Sequence, residues 1–122
     1  MPEKSHRSIW NKGEDMAVVF LQGKKYEIIE RNYQIQWGEI DIIAQDGDFL
    51  VFVEVKYRKD ESFGHPLDTF TPMKRKAMKR TVLYYTMKNK IDPEMIRIDF
   101  IGIMPKLEWE GHRVWHVRWV EV

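Results

Sequence analysis

Apolar residues recur along the chain with two different periods, and these periods predict the elements. Met16, Ala17, Val19 and Phe20 fall at roughly helical spacing between about Lys12 and Gln22, so a first helix is expected there, with Gly23 as its stop. Tyr26 to Gln36 is rich in Ile and Tyr and reads as a strand. Gly38 to Ala44 and Phe49 to Tyr57 read as two more, joined through Gln45-Asp46-Gly47-Asp48. Asp-Gly between apolar runs is a strong hairpin signal, because both residues tolerate positive φ. Arg58 to Pro66 is polar and reads as a loop. Thr71 then offers an N-cap with Pro72 behind it, opening a helix that runs to about Asn89, before Asp92-Pro93. Met95 to Met104 and His112 to Val120 complete the set as strands. Helix, three strands, helix, two strands is the order of an α/β (α+β) sandwich with one mixed sheet.

The strand period does more than locate strands. Side chains two apart share a face, so Val51, Val53, Val55 and Tyr57 form one apolar face of the third strand. The other face carries Leu50, Phe52, Glu54 and Lys56, an acid and a lysine at the end of an apolar row. If Asp46-Gly47 is a two-residue turn, Asp41 faces Phe52 and Glu39 faces Glu54. If the turn lies one residue further on, Asp41 stands directly opposite Glu54. Either register gathers Glu39, Asp41, Glu54 and Lys56 on one face. Carboxylates this close repel, and a hard cation with oxygen ligands is the usual remedy. Mg²⁺, or Mn²⁺ in its place, keeps several waters and accepts phosphate oxygens, which suits phosphodiester hydrolysis. Lys56 has three possible roles there: orienting the attacking water, deprotonating it, or neutralising the transition state. A surface ladder of salt bridges is the plain alternative, and three carboxylates against one lysine argue against it.

Composition changes the picture in two places. The chain has 122 residues, 43% apolar, which fits one compact domain spanning the whole length. It has no cysteine, no apolar run long enough for a bilayer, and an N-terminus, MPEKSHRSIW, without the apolar stretch of a secretory signal. A cytoplasmic protein with no membrane contact is the expectation. The net charge of +1 hides a local excess: from Thr71 to Lys90 there are seven basic residues and no acidic one. Such a helix can face a polyanion or simply solvate. In the tail, Trp115, Val117 and Trp119 share one face, as a core or homodimer surface or a platform for bases. His112 and His116 share the other face with Arg118, with no third ligand to make a zinc site.

Gly38-Glu39-Ile40-Asp41-Ile42-Ile43-Ala44 and Phe52-Val53-Glu54-Val55-Lys56-Tyr57-Arg58 resemble the GEIDLIA and FVEVKxR blocks of the YraN-like family of small bacterial proteins. Gly13-Glu14, Ala17, Arg31-Asn32, Phe63-Gly64, Pro66 and Lys74 extend the match over roughly residues 10 to 85. That family looks like a branch of the PD-(D/E)xK nuclease superfamily, with Holliday-junction resolvases nearest in pattern. The resemblance implies a restriction-endonuclease-like αβββαβ core, a mixed sheet flanked by helices. It implies Asp41 and Glu54 as metal ligands, Lys56 as catalytic lysine, and Glu14 as a further catalytic and metal-binding carboxylate. An ordinary first-turn carboxylate is the other reading of Glu14. Lys74 matches a basic position beside phosphate, and Arg75, Lys79 and Arg58 join it as candidate nucleic-acid contacts. The expected function is a metal-dependent endonuclease acting on DNA, branched or damaged DNA included. The alternative is a non-catalytic nucleic-acid-binding module within a larger complex.

Overall fold

A computed structural model describes residues 12–60, 62, 64–106 and 111–119. The N-terminal segment behind the secretory argument lies outside them, as do Phe63 and Val120. Helix α1 (Lys12–Gly23) is followed by strands β1 (Glu27–Ile35), β2 (Gly38–Asp46) and β3 (Phe49–Tyr57). A 3₁₀ turn (Pro66–Thr69) leads into helix α2 (Pro72–Lys88), and a second 3₁₀ turn (Pro93–Met95) into β4 (Ile96–Pro105) and β5 (His112–Trp119). The five strands form one sheet in sequential order, with β3 and β4 parallel and every other pair antiparallel.

Helix α2 starts where expected: the Thr71 hydroxyl accepts from the Lys74 N–H at 3.3 Å and Pro72 stands just inside. Each helix covers one face of the sheet. Ala17 and Leu21 of α1, one helical turn apart, are fully buried against Ile42, Val51, Val53, Ile101 and Ile103. Val19, counted with this apolar face in the sequence, is instead 69% exposed, because it points away from the sheet. On the opposite face Met78 and Val82 of α2 pack on Ile43, Phe52, Ile96 and Ile98. Tyr85 joins them, meeting Tyr33 and Phe52 at ring distances of 5.0 and 5.4 Å, while Leu83 and Tyr84 are exposed.

The hairpin turn is Gly47-Asp48, not Asp46-Gly47, since Asp46 pairs with Phe49. Gly47 alone takes the left-handed conformation, with φ of +59°, as in turns that need glycine only at their first central residue. This selects the second register, and continuing it sets Asp41 opposite Glu54. Glycine is needed for a different reason at Gly38. A Cβ there would stand 2.1 Å from the Thr81 hydroxyl oxygen, so the start of β2 presses directly on α2. Thr81 is buried and its hydroxyl donates to the Ala77 carbonyl, so it has nowhere to go. Gly38→Ala should therefore cost about 2–3 kcal/mol through overpacking. In thermal melts the double variant with Thr81→Ala should recover at least half of that loss. Additive losses would show that the contact is not the cause.

Candidate metal and phosphodiester site

Strict face parity breaks at Asp41. Ile42 packs on the α1 side while Ile40, two residues away, joins the α2-side cluster. Their partners on β1 divide the same way: Arg31 reaches Glu14 of α1, and Tyr33 meets Tyr85 of α2. Between them Asn32 has φ of +55°, a conformation in which asparagine is enriched. The two strands thus turn over together at Asn32 and Asp41. There the β2–β3 ladder also stops, its last pair being Ile42 with Val53. The Asp41 carboxylate takes the place of the missing backbone acceptor, receiving the Val55 N–H at 2.8 Å.

Asp41 still lies close enough across this fork for its charge to act on Glu54, for a different reason from the one the alternating pattern suggests. Burial raises the proton affinity of both carboxyls. Glu54 is raised further by Asp41 and Glu39, and eased by Lys56 and Lys74. At Asp41 burial is opposed by the Val55 N–H and reinforced by Glu14 and Glu39. Among the described residues none of Asp41, Glu54 and Lys56 enters an ion pair within 4.0 Å, which removes the salt-bridge ladder as an explanation.

A cleft of about 330 Å³ opens on the α2 side, lined by Glu39, Glu54, Lys56, Lys74 and Trp37 among others. Asp41 is not part of that lining and lies where it feels the charge of Glu14 on the α1 side. Glu14 is buried, and its carboxylate accepts from the Arg31 Nε at 2.9 Å. Asp15 shares the same guanidinium. The sequence reading missed this clasp: Arg31 was visible only as part of a matching block. Of the basic candidates, Lys74 lines the cleft, whereas Arg75 lies 5.9 Å from the Trp119 ring centre. Lys79 is on α2 outside the lining. Arg58 is half-buried, and among the described residues its Nε has no hydrogen-bond partner.

Both described tryptophans of the tail rest on neighbouring rings, while Val117 between them is exposed. Trp115 packs on His65 and Trp119 on Phe70. His112 and His116, four residues apart on an extended strand, stand about 13 Å from each other and cannot share a zinc ion. His116 instead gives its Nε2 to Asp99 at 2.6 Å.

The donor set fits a hard cation of one kind. Among the described residues no three His, Asp or Glu side chains gather as a ready-made cage. Mg²⁺ does not need one, because it is usually held by one or two carboxylates with water and substrate phosphate completing the shell. Two unpaired, half-buried carboxylates with raised proton affinity are suited to that. The sign of the linkage gives a test. Both carboxyls hold protons more tightly folded than unfolded, so their contribution is fully present below the ordinary carboxylate value near pH ~4. It is lost as pH rises through the raised folded values. The stability gap between the wild type and Asp41→Asn/Glu54→Gln should therefore be small in acid and widen in the variant's favour toward and beyond neutrality. Denaturant titrations across pH measure it, and a pH-independent gap would contradict the electrostatics.

Fold and site together define an α+β protein built on a restriction-endonuclease-like core, with an acid–acid–lysine set at a fork in its sheet. The model of the uncharacterised protein family UPF0102 matches residues 13–103, and the chain belongs to that family. It is 45% identical over 102 residues to a UPF0102 protein of Carboxydothermus hydrogenoformans, covering 84% of this chain and 86% of the relative. A UPF0102 protein of Geotalea uraniireducens is 39% identical over 101 residues, covering 83% and 80%. One of Dictyoglomus turgidum is 38% identical over 111 residues, covering 87% and 94%. This is the YraN family that the sequence blocks resemble. No helix among the described residues is long and apolar enough to cross a membrane.

Proposed function

We propose that the chain hydrolyses DNA phosphodiester bonds with the help of Mg²⁺ or Mn²⁺ held by Asp41 and Glu54. The observation that carries this reading is that Glu54, in one cleft with Lys56 and Lys74, is without an ion pair and feels the charge of Asp41 at the fork behind it. A divalent cation bound there would supply the charge that offsets the developing negative charge on phosphorus and makes a nearby water more acidic. The chain's own residues do the rest. Lys56, on the strand that carries Glu54, holds an ammonium beside the scissile phosphate and offers a donor to the attacking water. Lys74, at the first turn of α2, attracts the phosphate into the cleft. Glu14 is held by Arg31, so its part is to hold Asp41's surroundings negative rather than to ligate directly.

The experiment is incubation of the purified protein with labelled linear, nicked and four-way-junction DNA, with Mg²⁺, Mn²⁺ or EDTA. Metal-dependent cleavage lost in Asp41→Asn and Glu54→Gln supports the reading. Cleavage indifferent to both substitutions sinks the site assignment. Salt-dependent binding with no cleavage of any substrate leaves the non-catalytic binding module in its place.

A further inference from the structure

The cleft has an aromatic rim that the proposed chemistry does not use. Trp37 sits in the β1–β2 turn, lines the cleft together with Glu54, Lys56 and Lys74, and is 47% exposed. It belongs to neither hydrophobic cluster. Its ring is braced by Tyr84 of α2, centroids 5.4 Å apart at 77°, and Arg80 places its guanidinium 5.6 Å from the ring centre. Tyr84 is itself 40% exposed. The close approach of Gly38 to Thr81 locks the neighbouring backbone onto α2, so the indole is presented from a fixed base. An exposed tryptophan held in place by a helix, with a cation beside it and ammonium groups leading into the cleft, is a poor solvent surface and a good stacking surface. Its charge suits a polyanion rather than an apolar peptide.

We infer that Trp37, with Arg80, is a stacking platform for one unpaired nucleobase next to the phosphodiester held at Glu54 and Lys56. This rests on reading Asp41, Glu54 and Lys56 as a phosphodiester site, and it names the substrate class. In a continuous duplex both π-faces of every base are covered by neighbours, so the platform has nothing to take. At a gap, flap, loop or junction an unstacked base offers its face. The chain therefore selects nucleic acid with an unpaired nucleotide beside the cut, by shape and stacking rather than by base identity.

Binding of the full chain in EDTA tests this apart from cleavage. Labelled duplex with a short single-stranded gap is compared with the continuous duplex by fluorescence anisotropy, and 2-aminopurine in the gap reports stacking. The wild type should prefer the gapped duplex by roughly tenfold and quench the 2-aminopurine. Trp37→Ala should lose both effects while binding continuous duplex within about twofold of wild type, and Trp37→Phe should keep most of the preference. Equal preference in wild type and Trp37→Ala, or no preference in wild type, overturns the inference and leaves metal-dependent cleavage untouched. A Trp37-dependent preference with no cleavage of any substrate supports the platform and overturns the catalytic reading alone.

Discussion

Glu54→Gln should reduce metal-dependent DNA cleavage by at least about 10²–10³-fold, and the metal-free variant should melt at a higher temperature than the wild type. On the proposed function, the first effect follows from removing a negative charge that would hold the cation and, through it, the scissile phosphate. The second follows from relief of a half-buried carboxylate pressed by Asp41 and Glu39. Removing its ionisation should return on the order of 2 kcal/mol at neutral pH, a rise of several degrees in Tm for a chain of this size. Mg²⁺ should raise the melting temperature of the wild type and leave that of the variant nearly unchanged. Single-turnover cleavage and scanning calorimetry on the same preparations check both. Loss of activity accompanied by loss of stability would point to a structural role for Glu54 and count against the site.

The second large effect concerns the other face of the sheet. Asp99 is fully buried at the centre of β4, and its carboxylate receives Arg97 Nε at 2.8 Å, His116 Nε2 at 2.6 Å and the Tyr26 hydroxyl at 3.2 Å. Arg97 also donates to Asp46 at 2.9 Å, tying the network to the β2–β3 hairpin. Lys24 donates to His116 Nδ1 at 3.1 Å, which leaves Nε2 carrying the proton that Asp99 accepts. Burial alone would raise the Asp99 carboxyl, and the bonds from His116 and Arg97 outweigh it and hold the group below its ordinary value. Asp99→Ala takes from the buried Arg97 guanidinium its fully buried partner, leaving it Asp46 and the Tyr26 hydroxyl, and should cost about 3–5 kcal/mol. In a chain whose total stability is of order 5–15 kcal/mol, that lowers the melting temperature by roughly 10–20 °C. Thermal melts measure it. His116→Gln, which can still donate to Asp99, should lose less than half as much. A near-normal melt for Asp99→Ala would mean the network does not hold the sheet.

The contrast between the two faces explains what the sequence could reveal. The hairpin, the N-cap of α2 and the alternation along β3 are local, set by residues within a few positions of each other, and all three were legible. The register was legible only as two alternatives, because it depends on which turn residue takes the left-handed conformation, and Gly47 does so alone. The inversion at Asn32 and Asp41 breaks the alternation from which the convergence was argued. Its one signal was an asparagine inside a strand pattern. The Asp99 network joins residues up to 73 positions apart, and no periodicity encodes such a meeting. The Glu14–Arg31 clasp and the Trp37 rim were illegible for the same reason: each depends on how a helix settles on the sheet.

The fork at Asp41 also divides the sheet's labour. Strand β3 is bonded to β4 through eight successive partners, from Leu50 to Tyr57, so Glu54 and Lys56 ride on a rail fixed along its whole length. Asp41 belongs to a ribbon, β1 with β2, fastened to that rail only from the hairpin as far as Ile42. Past that point one carboxylate–amide bond is the latch between the two. That bond occupies one carboxylate oxygen of Asp41, so the residue that latches the seam is also the one whose second oxygen would face a cation shared with Glu54.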